Sequence, residues 1–369
     1  MGSISTHVLD LPLLKSQPSF ETIRKSLESL TLPPSTWSST PAVPPVEAEN
    51  TPLTSRYLTA ILKNPFDWLF SHPQGMSVDE QRDILHDLAS QRLTERCGRS
   101  AQGEMSRTWT LPATSNHESA VDIVIREPSL TGDDLGLKTW GTAWAMAQIL
   151  PRLRTDYLSH LFPEAPSPTR GKQDGAGGCG SETKGGTPPP PAILELGSGT
   201  GLLGLSATLT LHAPVLLTDL PTILPNLHHN IALNTPLLAS HSASAHAEPL
   251  DWSAVHTGAA PQVPLIVVSD PLYSPDHPRL VGRAISVHLL PDPSSRVLLA
   301  VPLRDAATRA LLLDLRGRLR LHGFELLGAG EEICRDDWAA SRGHGRDDEE
   351  IRCWWGVWRW QSERWKFAV

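Results

Sequence analysis

The chain has 369 residues, of which 40% are hydrophobic and 20% are charged, a composition typical of one large or two ordinary domains with packed cores. The formal net charge of -8 argues against a nucleic-acid-binding surface, which normally carries a basic face. The four cysteines lie far apart without a C-x-x-C pair, which argues against a disulfide framework and against a zinc site. No apolar run approaches the ~20 residues of a membrane span, and the N-terminus lacks the pattern of a signal peptide. We therefore expect a cytoplasmic protein without a membrane partner, and we expect a monomer.

The first 130 residues are predicted to form an N-terminal extension of helices and a β-hairpin. Residues 31–54 are rich in Pro, Ser and Thr, a composition that predicts partial disorder. Apolar residues recur at helical spacing over Ser55–Phe70, with a break at Pro65, and over Val78–Arg96, which predicts helices in both segments. Two strand-like runs follow within Arg107–Pro128, and their closeness favours a hairpin.

Residues 131–369 are predicted to form the main domain. A turn and a helix are predicted over Leu135–Leu158, and the Pro/Gly-rich stretch at about 163–191 is predicted to be a disordered insertion. Strands and helices then alternate. This alternation predicts an α/β, Rossmann-like fold, with a seven-stranded, mostly parallel sheet, helices on both faces and a C-terminal antiparallel hairpin. After the first strand, which begins at Ile193, strands are predicted at Val215–Thr218, just before Leu250, Leu265–Ser269, Arg296–Val301, Phe324–Ile333 and Ile351–Trp360, and helices at Leu220–Asn234, His277–Leu290 and Asp305–Leu321.

The segment Ala192–Gly204, AILELGSGTGLLG, carries the strongest chemical signal. Its apolar run predicts a buried parallel strand that leads into Gly197, Gly199 and Gly201, and a helix is predicted to start directly after them. Glycine adopts positive φ at little cost and lets the backbone approach a ligand closely. We therefore expect the loop amides to face a ligand at a helix N-terminus, with Glu195 just before the first glycine.

Three further segments are predicted to end at the same edge of the sheet, where open α/β sheets bind ligands. Asp219 ends the second strand about 20 residues beyond the loop, the spacing of an acid that holds ribose hydroxyls; alternatively, it caps the helix that follows. Trp252 follows a short strand, where an indole could cover an adenine ring or simply pack. Ser269, Asp270 and Tyr273 follow the most apolar strand, where Asp270 could also be a helix-start acid and Tyr273 a core ring.

The pattern E-x-G-x-G-x-G, with an acid at the end of the next strand, resembles the class I S-adenosylmethionine-dependent methyltransferases. The D-P-L-Y element at Asp270–Tyr273 resembles the D-x-x-Y motif of lysine methyltransferase family 16, the seven-β-strand protein-lysine methyltransferases. Three further segments resemble that family: L-K-T-W-G around Trp140, T-D-L-P at Thr218–Pro221 with N-x-x-x-N after it, and L-D-W at Leu250–Trp252. The resemblance covers about Leu135 to the C-terminus. The wording D-P-L-Y-S-P-x-H-P is most similar to the fungal members that methylate translation elongation factor 2.

This resemblance implies S-adenosylmethionine as the cofactor and a protein lysine as the substrate, with translation elongation factor 2 as the candidate. The loop backbone would approach the methionine part of the cofactor, while Asp219 would bind both ribose hydroxyls and Trp252 would flank the adenine. Glu195 would hold the loop or accept from the cofactor's ammonium group. Asp270 and Tyr273 would be the catalytic residues, where the target lysine meets the methyl group, and no metal is needed. The implied cofactor-binding residues are Trp140, Glu195, Gly197, Ser198, Gly199, Gly201, Asp219, Trp252 and Ser269.

Two other functions stay open at this point. Gly199, Gly201 and Gly204 also satisfy G-x-G-x-x-G, so an NAD(P)-dependent oxidoreductase is one alternative. Against it, the glycine strand begins deep in the chain, and no obvious catalytic Tyr/Lys or His partner follows. A non-catalytic adaptor that keeps the fold is the other alternative, and the intact Asp270–Tyr273 element argues against it.

Overall fold

A computed structural model describes residues 10–31, 51–70, 75–96, 103–113, 119–129, 135–163, 190–255, 261–336 and 349–361. The disorder predicted for 163–191 and for most of 31–54 lies outside these residues. Two compact units make up the chain. The first comprises Met1–Arg107, Glu127–Asp134 and Arg335–Glu349, and the second comprises Thr108–Arg126, Leu135–Cys334 and Glu350–Val369.

The helices of the described residues are α1 (Phe20–Ser29), α2 (Thr51–Leu62), α3 (Val78–Thr94), α4 (Gly141–Leu153), α5 (Leu202–Leu211), α6 (Leu224–Ser240), α7 (His277–His288) and α8 (Ala306–Leu321). The strands are β1 (Met105–Leu111), β2 (Val121–Glu127), β3 (Ile193–Leu196), β4 (Val215–Asp219), β5 (Ala245–Pro249), β6 (Leu265–Ser269), β7 (Arg296–Pro302), β8 (Phe324–Asp336) and β9 (Glu349–Trp360). Within the described ranges, no helix combines the length and the apolar character that crossing a bilayer requires.

Three helices, α1 to α3, form the first unit around a hydrophobic core of its own. Their packing buries the apolar stripe of each helix. Ser77 and Glu80 close a capping box at the start of α3, which satisfies two backbone donors there. The core includes Phe20, Ile23, Leu27, Leu58, Ile61, Phe66, Leu85 and Ala89.

Helix α2 begins at Thr51, so the disorder predicted through residue 54 is wrong for its last four residues. Pro52 explains the start, because the first turn of a helix leaves its N–H groups unpaired and proline has none to lose. The Pro-rich stretch before Thr51 dominates the composition of residues 31–54, so composition alone does not predict this helix start.

The second unit is organised around a seven-stranded sheet with the order β5-β4-β3-β6-β7-β9-β8. The five strands from β3 to β7 run parallel, whereas β9 runs antiparallel to β7. The predicted fold is thereby confirmed. A dinucleotide-binding sheet has the order 3-2-1-4-5-6. Here, an antiparallel strand is inserted before the edge strand, which departs from the sheet expected of an oxidoreductase.

The two faces of this sheet bury different helices. One face packs side chains such as Leu194, Ile266 and Leu299 against α7 and α8, and Trp354, Trp358 and Trp360 join the same core, as their alternation predicts. Glu195, one position along from Leu194, projects from the opposite face, where α4 packs against α5. Every residue of α5 is buried.

The carboxyl ends of the parallel strands meet at one edge of the sheet. Leu196 of β3 lies level with Thr218 of β4, and Ser269 of β6 lies level with Ala300 of β7. The chain reverses its direction of winding between β3 and β6, which makes this edge the topological switch point where ligands bind in such sheets.

Side-chain amides of α6 hold the β-hairpin. Asn234 accepts from the N–H of Val124 at 3.0 Å and donates to its carbonyl at 2.7 Å. Asn230 makes the same pair of bonds to Arg126, at 2.8 and 3.1 Å. The amides therefore replace a neighbouring strand along one edge of β2. The hairpin residues 108–126 group with the sheet unit, whereas the sequence prediction placed the whole hairpin in the N-terminal extension.

Helix α6 begins at Leu224 rather than at the predicted Leu220. The residues before it form a turn instead, in which the N–H of Ile223 donates to the carbonyl of Leu220 at 2.9 Å. A proline does lie in the first turn, but it is Pro225 and not Pro221. The two prolines offer the same helix-start signal, and only packing distinguishes them.

Candidate active site

The glycine loop leaves β3 in a left-handed conformation. Gly197, Gly199 and Gly201 have φ of 70°, 55° and 88°, a region that glycine adopts without strain. A Cβ at Gly197 would lie 2.9 Å from Cζ2 of Trp252, and a Cβ at Gly199 would lie 3.1 Å from the carbonyl oxygen of Gly136. The glycines are therefore required both by the turn and by what lies against it.

The loop amides do not point outward as predicted. The N–H groups of Gly197 and Ser198 both donate to the carbonyl of Thr218 at 2.9 Å, and that of Gly201 donates to the carbonyl of Ser198 at 2.8 Å. The N–H of Gly199 donates to the Asp219 carboxylate at 2.7 Å. These donors are satisfied within the protein, because the loop folds back against the end of β4. The sequence prediction of free amides facing a ligand is thus wrong for these four residues.

Glu195 supports the loop from beneath. Its carboxylate is completely buried and accepts from the N–H of Gly204, in the first turn of α5, at 3.1 Å. Burial raises the pKa of Glu195 to about 8, although the bonds from Ser198 and Gly204 act in the opposite direction. Of the two roles implied for Glu195, this geometry matches the one that holds the loop.

Asp219 stands at the end of β4 beside the loop. One carboxylate oxygen accepts from Gly199 and the other accepts from the N–H of Leu220 at 2.7 Å. Burial raises the pKa of Asp219, and the two backbone donors partly oppose that shift. The alternative reading as a helix cap is wrong, because the N-cap of α6 is Ile223. The carboxylate is instead held by the N–H groups of Gly199 and Leu220, and its bond to a ribose stays a prediction.

Trp252 borders the other side of the loop. It begins a single helical turn whose N-cap, Asp251, accepts from the N–H of Ser253 at 2.8 Å. The preceding residue, Leu250, donates its N–H to the carbonyl of Asp219 at 2.9 Å, which ties this turn to the end of β4. The indole is half-buried and lies against Gly197. The structure thus shows the packing role of Trp252, and its contact with an adenine stays a prediction.

Asp270 follows Ser269 at the end of β6 and adopts φ of 53°, a left-handed conformation that costs a residue with a Cβ about 1 kcal/mol or more. Its N–H is bonded to the carbonyl of Ala300 on β7 at 2.9 Å. Its carboxylate is held by both terminal nitrogens of Arg304, with Nη1–Oδ1 at 3.1 Å and Nη2–Oδ2 at 2.5 Å. Strain of this kind is concentrated at functional sites, and here it aims a carboxylate at the edge of the sheet.

Tyr273 is 65% exposed, so the alternative of a core ring is wrong. Its ring meets the ring of His277 edge-on at 4.2 Å, and His277 in turn meets Trp252 at 5.7 Å. Partial burial, followed by the charges of Asp219 and Asp270, raises the pKa of Tyr273, so its hydroxyl stays protonated. The three rings join the Trp252 side of the site to the Asp270 side.

Trp140 forms the wall on the α4 side. It is the N-cap residue of α4, and its indole N–H donates to the carbonyl of Leu135 at 3.1 Å. Lys138 Nζ lies 4.6 Å from the centre of its ring, and the guanidinium of Arg304 lies 4.8 Å from it. Cations at this range over an indole are attracted by its π-system.

Sequence reasoning missed Arg304 and His277. Arg304 is the first charged residue after β7, and the same rule that selected Asp219 and Asp270 at strand ends could have selected it. His277 begins α7 within the D-P-L-Y-S-P-x-H-P segment, and its Nδ1 lies 2.8 Å from the carbonyl of Pro271. Burial lowers the pKa of His277, which favours the neutral ring.

The donor set at this edge fits S-adenosylmethionine. The cofactor carries a sulfonium and an ammonium, and the site presents the carboxylates of Asp219 and Asp270. A ribose diol needs an acceptor such as Asp219, and an adenine needs a flat apolar wall such as Trp252. The bare Cα of Gly197 lets the Trp252 indole lie directly against the loop.

Comparison with known proteins decides the family. The lysine methyltransferase family profile matches residues 122–314, slightly more than half of the chain. The chain belongs to the lysine methyltransferase family. The family predicted from the sequence motifs is thereby confirmed, and the oxidoreductase alternative is wrong.

Individual relatives agree with the family. The protein-lysine N-methyltransferase EFM2 of Saccharomyces cerevisiae is 33% identical over 260 residues, which are 67% of this chain and 54% of EFM2. The protein-lysine N-methyltransferase rrg1 of Schizosaccharomyces pombe is 26% identical over 359 residues, which are 96% of this chain and 98% of rrg1. The protein-lysine methyltransferase METTL21E of Mus musculus is 47% identical over 49 residues, 13% of this chain and 20% of its own. The match to EFM2 thus spans about half of that relative, whereas rrg1 is matched along almost its whole length.

Proposed function

We propose that this lysine methyltransferase transfers a methyl group from S-adenosylmethionine to the side chain of a lysine in a protein substrate, for which translation elongation factor 2 is the candidate. The observation that carries the proposal is the placement of Asp219 and Asp270 at the ends of β4 and β6, on either side of the glycine loop on β3. The first acid suits the ribose of the cofactor, and the second stands where an amine would approach.

When bound, S-adenosylmethionine supplies a methyl group activated by its sulfonium. The protein then contributes position and charge. The lysine nitrogen would supply its lone pair to the new C–N bond, the electron pair of the C–S bond would stay on the sulfur of S-adenosylhomocysteine, and the proton that the nitrogen loses would pass to solvent. The amine must be neutral to attack, although lysine is protonated near pH 7. Asp270 and Tyr273 would orient this amine in line with the methyl group.

The loop residues and their supports hold the cofactor side. Asp219 would accept both ribose hydroxyls, Trp252 would flank the adenine, and Ser269 would line the site between them. Trp140 would close the site from the start of α4. Glu195 and Gly204 would keep the loop in place without touching the reacting atoms.

The test is methylation of proteins from a fungal lysate, with tritiated S-adenosylmethionine and purified elongation factor 2 in parallel. We expect tritium in a lysine of one protein, identified by mass spectrometry, and the same label on elongation factor 2. Label on a lysine of a different protein would support lysine methylation but would show that elongation factor 2 is not the substrate. Binding of S-adenosylhomocysteine without any label would favour the non-catalytic adaptor, whereas the absence of such binding would overturn the cofactor assignment.

A further inference from the structure

Asp270 is not an isolated acid at the sheet edge. Both of its carboxylate oxygens are held by Arg304, and its side chain is only 8% exposed, against 30% for that of Arg304. The arginine comes from the turn after β7, so two neighbouring strand ends each contribute one half of the pair. A substrate lysine that approaches Asp270 therefore meets a carboxylate whose charge is already matched.

Arg304 is also held from a second side. Its guanidinium lies 4.8 Å from the centre of the Trp140 ring, and Lys138 lies 4.6 Å from the same ring. A planar guanidinium that lies over an indole and is bonded through two nitrogens to a carboxylate has few other orientations. The positive charge is thus fixed at the place where the substrate cation would otherwise pair with Asp270.

We propose that Arg304 is a positioning residue that makes the mouth of this site favour the neutral amine of the substrate lysine over its ammonium form. This inference rests on the proposed function. An unpaired Asp270 would stabilise the ammonium, which has no lone pair and cannot attack. With Arg304 in place, the ammonium gains little from Asp270 and is repelled by the guanidinium, whereas the neutral amine can still use the remaining acceptor capacity of the carboxylate.

The surrounding charges make Arg304 important for which protonation state of the substrate lysine the site favours. Among the described residues, the carboxylates of Asp219, Asp270 and Asp305 and the cations of Arg304 and Lys138 lie in this region. Removal of Arg304 would take one cation away and leave Asp270 without its two-nitrogen partner, which favours an incoming ammonium. In the part of the chain that the structure describes, Tyr273 and Cys353 also interact with the charge of Asp270, and both are neutral near pH 7 because their pKa values are raised.

The test is the pH dependence of methyl transfer by Arg304→Gln. The substrate is the lysate protein that the wild-type enzyme labels, and S-adenosylmethionine is saturating. We expect the acid limb of kcat to move up by about one pH unit, so that the rate falls about tenfold near neutral pH and recovers in alkali. KM for the protein substrate should stay equal or fall, because the unpaired Asp270 attracts the ammonium.

Arg304→Lys is the matched control, because it keeps the charge and loses the planar fork. It should retain the wild-type pH profile even if its rate is lower. Arg304→Met, which keeps apolar contact with Trp140, should repeat the shift of the glutamine variant, and S-adenosylhomocysteine binding shows that each variant is folded. A rate lowered by one factor at every pH, or a raised KM, would overturn the inference. Failure of the wild-type enzyme to label any protein would instead overturn the proposed function.

Discussion

The two halves of the candidate site are built differently. On the cofactor side, the glycine loop, Glu195 and Asp219 are bonded to one another through backbone donors, and Glu195 is completely buried. On the substrate side, Asp270 is strained, Arg304 is partly exposed and Tyr273 is 65% exposed. Under the proposed function, the first half would bind one invariant cofactor, whereas the second would have to admit a side chain from another protein. Both halves join the ends of different strands: Asp219 of β4 bonds to Gly199 after β3, and Asp270 after β6 bonds to Arg304 after β7.

The largest expected effect separates the two halves. Asp270→Ala should lower kcat for methyl transfer more than about 100-fold, because it removes the group that orients the amine. S-adenosylhomocysteine affinity, measured by calorimetry, should change little, since Asp270 is bonded to Arg304 and not to the loop. Full activity in this variant would remove Asp270 from the catalytic role.

The converse variant is Asp219→Ala. Loss of two charged hydrogen bonds to a ribose should raise the Kd of S-adenosylmethionine about 100-fold. Asp219→Asn, which keeps one acceptor oxygen, should have an intermediate Kd, and at saturating cofactor both variants should transfer methyl groups faster than Asp270→Ala. An unchanged Kd would show that the carboxylate only braces Gly199.

The loop can also be tested through folding. A Cβ at Gly204 would overlap Cδ2 of Leu217 and lie 2.5 Å from Oε2 of Glu195, so Gly204→Ala should lower the free energy of unfolding by about 2–3 kcal/mol. Gly317→Ala is the matched control, because nothing lies within 4 Å of its Cβ on α8. It should raise stability by about 0.5–1 kcal/mol. Urea unfolding of both variants measures the difference, and equal effects would contradict tight packing under the loop.

A further expected effect is a pH dependence of stability that comes from Glu195. Its pKa is about 8 in the folded protein, above its ordinary 4.5. Between these values the unfolded chain loses the proton and the folded chain keeps it, so this residue makes stability fall as pH rises, until the slope ends above about pH 8. Glu195→Gln should flatten the slope in urea unfolding across that window. An identical slope in the variant would mean that the carboxyl is ionised in the folded protein.

Local signals predicted much of this molecule. The bounds of β6 match the prediction, and the glycine loop and Asp219 lie where strand ends were expected, because each depends on a few consecutive residues. Asp270 and Tyr273 also follow β6 as predicted. The ligand roles of these residues stay predictions.

Long-range contacts set the limit. No local sequence pattern shows that Arg304 binds Asp270, 34 residues away, or that the carbonyl of Thr218 accepts hydrogen bonds from the loop amides. The late start of α6 was missed for a related reason, since Pro221 and Pro225 are equal in a sequence pattern and differ only in packing. The sequence predicts which polar residues lie at the strand ends, but it does not predict which of them bond to one another.

The asparagine contacts of α6 have a consequence for where this chain can be cut. Asn230 bonds to both backbone groups of Arg126 and also donates to the carbonyl of Thr200 in the glycine loop at 2.9 Å. One amide thus fastens the hairpin and the cofactor loop to the same helix. A shortened chain that begins at residue 131 would lack β2. The side-chain amides of Asn230 and Asn234, which are both buried, would then lose their hydrogen-bond partners on β2. The hairpin is therefore bonded into the sheet unit, and we expect a stable fragment of that unit to include β2.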